Sequence, residues 1–136
     1  MNRLLFILAS LLFISCQTET ELFDDVNKIA EFDRDYELTL IKSGKESGFL
    51  EPMAEYSLFT VDTSDFRSLE NSVLTNDNFK EGTFYFNIEL KDYIYENDLY
   101  IINMAQSLIT DNKYDKVYYL YLLSDRKTIA ICKVNT

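Results

Sequence analysis

The N-terminal segment is the sequence feature that most restricts how this chain can be interpreted. Arg3 is followed by eleven mostly apolar residues, 4–14, and then by Ser15 and Cys16. A helix that crosses a membrane needs about 20 apolar residues, and polar side chains follow this run at once. A positive charge, a short apolar run and a small residue are typical of a secretory signal peptide. Residues 1–15 therefore predict an exported protein whose fold is built by the residues that follow.

The end of this segment resembles the cleavage region of bacterial lipoprotein precursors. In those proteins a small residue precedes a cysteine that is lipidated and becomes the first mature residue; Ser15 and Cys16 occupy these positions here. The commonest pattern has leucine three residues before the cysteine, where this chain has Phe13, with Leu12 one step earlier. The resemblance implies a lipid on Cys16 that holds the protein to a membrane of the bacterial cell envelope, on the periplasmic or the surface face of the outer membrane.

Cysteine usage agrees with this hypothesis. The chain has two cysteines, Cys16 and Cys132, so a lipid on the first leaves the second without an intramolecular disulfide partner. Cys132 lies in an apolar strand pattern, and the chain has no histidine that could activate a thiol. We therefore expect a buried, unreactive Cys132.

The mature chain is predicted to be a short tether followed by one domain. Residues 17–25 contain four acidic side chains in nine positions and resemble a solvated linker. We accordingly divide the chain into a signal peptide (1–15), a lipidated cysteine with an acidic tether (16–25) and a single domain (26–136).

Apolar spacing predicts the elements of that domain. We expect strands over residues 37–42, 56–61, 83–90, 116–123 and 128–134, the first ended by Ser43 and Gly44 and the last two joined as a hairpin by residues 124–127. We expect helices over residues 26–36, from a Ser64 or Asp65 cap through Phe66, Leu69, Val73 and Leu74, and over residues 99–109. A strand over residues 93–103 is the alternative to the last helix, because that stretch is also rich in Tyr and Ile and the spacing alone does not decide between them. This order predicts an α+β fold: a small antiparallel sheet of about four or five strands with two or three helices packed on one face.

Composition and charge exclude several classes of function. Without histidine there is no Ser-His or Cys-His catalytic pair and no histidine-ligated metal. The three glycines form no phosphate-binding loop. The net charge of −10 argues against a nucleic acid partner, because binding to phosphates requires clustered Lys and Arg.

Carboxylates are the abundant reactive groups, but their spacing gives only weak evidence for a catalytic or metal site. Glu37 and Glu89 both fall in strand patterns and could pair across a sheet as the two acids of a hydrolase. Residues 62–65 and 111–115 are oxygen-rich turns that could attract calcium, although both lack the full EF-hand pattern. We therefore expect no catalytic residue, no metal site and no cofactor.

Tyrosine is the residue type that most suggests binding. Tyr118, Tyr119 and Tyr121 follow one another on a predicted strand, with Tyr119 and Tyr121 on one face and Tyr118 on the other. Tyrosine is enriched in binding surfaces because it buries a large area at low entropy cost. The alternative is that these rings simply cover the sheet.

The leading hypothesis is a non-enzymatic envelope protein that binds a neutral or basic protein, or a glycan, through those tyrosines. Two alternatives are an inhibitor or immunity-type protein against a basic toxin and a structural accessory subunit of an envelope complex. The weakest hypothesis is a carboxylate-dependent hydrolase.

Overall fold

The computed structural model describes residues 21–32, 34–47, 52–83, 87–110 and 115–135. These ranges contain three helices and six strands. In order they are α1 (Glu21–Ala30), β1 (Thr39–Ser47), β2 (Pro52–Thr60), α2 (Thr63–Leu74), β3 (Lys80–Glu81), α3 (Ile88–Glu96), β4 (Ile101–Thr110), β5 (Asp115–Leu123) and β6 (Thr128–Asn135).

The strands form one open sheet in which every pairing is antiparallel, in the order β1-β2-β6-β5-β4-β3. After β2 the chain crosses to the far edge, where β3 lies, and returns strand by strand until β6 pairs with β2. The predicted hairpin is confirmed. Its turn is held by the Asp125 carboxylate, which accepts hydrogen bonds from the backbone N–H groups of Lys127 and Thr128, while Arg126 takes a left-handed conformation at φ 56°.

Helices pack on both faces of this sheet. On one face, which we call the first face, the apolar sides of α1 and α2 form a core with side chains such as Phe59 and Leu120. On the second face, Leu90 of α3 is buried against Tyr121 and Leu58. The α+β class is confirmed, but the expectation of four or five strands with all helices on one face is wrong. The central strands are buried on both sides because their alternate residues are apolar on both sides.

The predicted strand over residues 83–90 is wrong where the structure describes it. Asn87 caps a helix here: its side-chain oxygen accepts a hydrogen bond from the backbone N–H of Leu90. Such a cap satisfies one of the free N–H groups of the first turn. The apolar alternation that predicted a strand runs from 84 to 90, and residues 84–86 lie outside the described residues.

The predicted helix over residues 99–109 is also wrong, because β4 occupies residues 101–110. Its neighbouring residues Met104 and Ala105 pack into opposite cores, as successive residues of a strand do. The alternative strand over residues 93–103 is correct only from residue 101, since residues 93–96 belong to α3.

The first helix begins earlier than predicted. It covers Glu21–Ala30 rather than residues 26–36, and Leu22 and Phe23 are buried in the core of the first face. The second half of the predicted tether is therefore part of the fold. Residues 16–20 lie outside the described residues.

The second helix matches most of its predicted apolar side, and its cap differs. Phe66, Leu69 and Val73 are buried as expected, but the prediction is wrong for Leu74, which is 52% exposed near the end of the helix. The cap is Asp62, whose carboxylate accepts from the backbone N–H of Asp65, rather than Ser64 or Asp65 itself.

Strand β1 continues through Gly44, where we expected it to end. A Cβ atom at Gly44 would lie 2.5 Å from Cε1 of Tyr56, its partner in β2. The glycine is therefore part of the strand because it leaves room for the neighbouring ring.

Candidate binding surface

The three tyrosines of β5 do not form an exposed surface. Tyr118 is buried in the core of the first face, and Tyr121 is fully buried in that of the second face. Tyr119 is half-buried and stacks on Tyr121, with ring centroids 6.3 Å apart. The predicted alternation of their faces is confirmed, but the prediction that these side chains are exposed is wrong for Tyr118 and Tyr121. Strand β5 lies inside the sheet, where helices cover both of its faces.

Two buried tyrosines instead connect the sheet to its helices. The hydroxyl of Tyr118 donates to Oδ2 of Asp25 in α1 at 2.7 Å. The hydroxyl of Tyr56 in β2 donates to Oε2 of Glu89 in α3. The pKa of both hydroxyls is raised above the ordinary tyrosine value. Burial is the larger cause, and the adjacent carboxylate is the second. Each pair therefore joins one helix to the sheet, on opposite faces.

The structure does not form the sheet pairing that the hydrolase hypothesis needs. Glu89 lies on a helix and accepts the hydrogen bond from Tyr56. Glu37 is exposed in the segment before β1. A hydrolytic pair requires two carboxyl groups that face one bond from a shared cleft, so this arrangement offers no support for that chemistry.

The oxygen-rich turn at residues 62–65 has a structural explanation. Asp62 accepts hydrogen bonds from the Ser64 hydroxyl and the Asp65 N–H as the cap of α2. Residues 111–114 of the second turn lie outside the described residues. In the part of the chain that the structure describes, no three Cys, Asp or Glu side chains are grouped as metal ligands.

Cys132 is a buried residue of β6, as expected. Its side chain is packed in the core of the second face and its thiol is free of any disulfide. Burial, with a smaller contribution from the charge of Glu46, raises the pKa of the thiol to about 12. The reactive thiolate is therefore disfavoured at neutral pH.

The most exposed aromatic side chain of the described residues, that of Tyr95, lies on α3 instead. Leu90, Tyr93 and Ile94 face the core of the second face. Ile88 and Tyr95, seven positions apart and therefore on one side of the helix, are 64% and 83% exposed. These residues, with Asp92 between them, form what we call the α3 outer face.

Acidic residues are numerous in α3 and just after it. Over residues 88–98 there are four carboxylates, on Glu89, Asp92, Glu96 and Asp98, and one basic residue, Lys91. Tyr100, just beyond the helix, is also exposed. Sequence reasoning missed this surface because it treated residues 83–90 as a strand. The Asn87 cap followed by apolar residues at positions 90, 93 and 94 is the signal that could have identified the helix.

Comparison of the chain with protein-family models, with curated proteins and with solved structures found no match.

Membrane association is addressed by one further observation. Among the described residues, none of the helices is both long and apolar enough to span a bilayer. Cys16, the predicted site of lipidation, lies outside the described residues, so its modification stays a prediction.

Proposed function

We propose that this protein is a lipid-anchored component of the bacterial cell envelope that binds a neutral or basic protein through the α3 outer face and catalyses no reaction. The observation that carries the proposal is the exposure of Ile88 and Tyr95 on one side of α3, in a segment where acidic residues outnumber basic ones four to one. The large apolar side chains of a helix normally face the protein core. When they are exposed to solvent next to charged residues, they indicate a surface that binds a partner.

Charge defines the partner more closely. The chain carries 23 acidic and 13 basic residues, so its field repels acidic proteins and attracts basic ones. Complementary charge mainly accelerates association and selects the partner. In the α3 outer face, the apolar pair would supply the buried centre of the contact and the carboxylates its rim.

The anchor would place this surface near the membrane. Helix α1 begins at Glu21, so five residue steps separate it from Cys16. A fully extended chain of that length reaches at most about 18 Å. The domain of a lipidated protein would therefore stay close to the bilayer, where it would meet membrane-associated partners.

Site-specific photo-crosslinking in the cell tests the proposal. A photoreactive amino acid is placed at position 95, or at position 88, of the full chain. We expect one discrete adduct at each position. The double change Asp92→Lys and Glu96→Lys should reduce the adduct at position 95 at least fivefold, because it reverses the charge of the rim.

Two controls separate this contact from random collision. A photoreactive residue at Asn71, which is exposed on α2, should give no such adduct. The changes Asp24→Lys and Asp35→Lys alter the total charge equally, away from α3, and should leave the adduct at position 95 intact. The proposal fails if positions 71 and 95 capture the same proteins, or if both pairs of charge changes act alike.

A further inference from the structure

The two edges of the sheet differ in how they are protected. Edge strands expose unpaired backbone groups, and natural proteins commonly protect them with charged residues or β-bulges. Strand β1 carries Lys42, Lys45 and Glu46 and has two register shifts. Strand β4, at the other side, has ten residues, IINMAQSLIT, without a single charge or proline.

Strand β3 covers only a small part of β4. It pairs through Lys80 with Gln106 and through Glu81 with Ala105. The backbone N–H of Gly82 then donates to the carbonyl oxygen of Met104 at 2.9 Å. Close approach of the two backbones requires this glycine, since a Cβ atom there would lie 2.9 Å from backbone atoms of Ala105.

The last residues of β4 lie beyond this cover. In an antiparallel ladder, alternate residues direct their N–H and C=O groups to the same side. Met104 bonds outward to Gly82, so Leu108 and Thr110 also direct their backbone groups outward. Among the described residues, none pairs with them on that side. Leu108 is 62% exposed, and Ile109 is partly exposed.

A cavity of about 410 Å³ lies beside this open segment. Its lining includes Ile29 and Ile109, which are apolar, and the charged residues Asp25, Lys28 and Glu31. Oδ2 of Asp25 already accepts from Tyr118. The two carboxylates outnumber the lysine, so the cavity suits a cationic group on an aliphatic stem.

We propose that Leu108–Thr110 is a strand-addition site that pairs with an extended segment of a partner protein, in which apolar residues alternate with lysine or arginine. Main-chain hydrogen bonds would supply affinity, and the cavity between α1 and β4 would select the basic side chain. A second copy of this chain fits less well, because each copy carries a net charge of −10. The site is separate from the α3 outer face, so the two proposals can fail independently.

Three synthetic peptides test the site on the full-length mature protein, purified in detergent. The first alternates valine and lysine over nine residues. The second is the same peptide with alternate amides N-methylated, and the third alternates valine and glutamate. We expect the first to slow amide hydrogen exchange at Leu108 and Thr110 at least tenfold, and the other two to bind at least tenfold more weakly.

Variants of the protein locate the contact. Leu108→Pro removes an outward N–H that the ladder with β5 does not use, and Leu108→Lys places a charge on the open edge. Both substitutions should weaken binding of the valine–lysine peptide at least tenfold, whereas Met53→Lys, at a similarly exposed position, should leave it unchanged. The Tyr95→Ala variant should also bind this peptide with the wild-type affinity. If circular dichroism shows that the Leu108→Pro variant unfolds at a lower temperature than the wild-type protein, the Leu108→Lys variant provides the test of the site.

Several results would overturn the proposal. They are equal binding of the N-methylated peptide, unchanged exchange at Leu108 and Thr110, or no binding of the valine–lysine peptide at millimolar concentration. Sedimentation of the wild-type protein as a dimer that Leu108→Lys makes monomeric would assign the edge to a second copy, and would also reject a partner segment.

Discussion

At the scale of single residues, the two tyrosine–carboxylate pairs explain how helices on opposite faces are attached to one sheet. Tyr118 contacts Asp25, and Tyr56 contacts Glu89. A hydrogen bond to a charged group contributes about 1.5–3 kcal/mol to stability, more than a neutral one. The sequence shows abundant tyrosine and carboxylate residues, but these partners are 93 and 33 positions apart. Only the tertiary fold reveals the pairs.

These pairs predict a loss of stability at alkaline pH. The pKa of each hydroxyl is higher in the folded protein than in the unfolded chain. Their contribution is therefore complete below about pH 10, the ordinary tyrosine pKa, and is lost as the pH rises towards the folded values. Urea unfolding should show stability that falls steeply above pH 10. The double change Tyr56→Phe and Tyr118→Phe should flatten that fall.

The same variants test the hydrogen bonds at neutral pH. Tyr118→Phe should lower the free energy of unfolding by about 1–2 kcal/mol. The exposed Tyr95 provides the control, because Tyr95→Phe should change neither the stability nor its pH profile. An unchanged alkaline profile in the double variant would contradict the assignment.

Cys132 provides a second prediction for a single residue. Its thiol is buried, and its pKa is raised to about 12. A soluble thiol reagent should therefore modify the native protein at least a hundredfold more slowly than the denatured one, because reaction requires an exposed thiolate. Rapid labelling of the native protein at pH 7 would show that the side chain is accessible.

At the scale of elements, the sequence correctly predicted the C-terminal hairpin and the strands that are rich in strong β-formers. The predictions for the segments before and after α3 were wrong. Residues 84–90 alternate as a strand does, yet the cap at Asn87 begins a helix at Ile88. Residues 99–109 have helical spacing, yet pairing with β5 makes most of them a strand. In both cases local spacing fits two structures, and long-range packing decides between them.

The cap of α3 should be important for stability. Asn87 accepts from the Leu90 N–H at 3.0 Å and donates to Oε1 of Glu46 in β1 at 3.3 Å, in a buried position. Asn87→Ala should cost about 1–2 kcal/mol in the free energy of unfolding, because both bonds are lost. Asn87→Ser, which keeps an acceptor at the cap without placing a second carboxylate beside Glu46, should recover part of that loss.

Chemical denaturation measures this effect. Asn71→Ala on the exposed side of α2 is the matched control and should stay within about 0.5 kcal/mol of the wild-type protein. A loss for Asn87→Ala no larger than for the control would mean that the cap does not hold α3 in place.

At the scale of the whole molecule, the three-layer arrangement determines which surfaces remain for a partner. The faces of the central strands are covered by helices, so the tyrosines of β5 that the sequence suggested for binding are largely enclosed. What remains exposed and apolar includes the outer face of α3 and the open end of β4. The sequence predicted the α+β class, which the structure confirms, whereas a binding module remains a proposal. The sequence did not show which apolar side chains stay exposed, because that depends on which side of each element is covered.

We propose that a lipid on Cys16 attaches this domain to a membrane, where it acts. The intact mass of the full-length protein, purified from the membranes of an expressing bacterium, shows whether Cys16 is modified. We expect a chain that begins at Cys16 and is heavier than its sequence by the mass of its acyl groups. The Cys16→Ser variant should lack that mass and either leave the membrane fraction or remain an uncleaved precursor. A wild-type chain that retains Met1, or that carries an unmodified Cys16, would rule out lipid attachment at this residue.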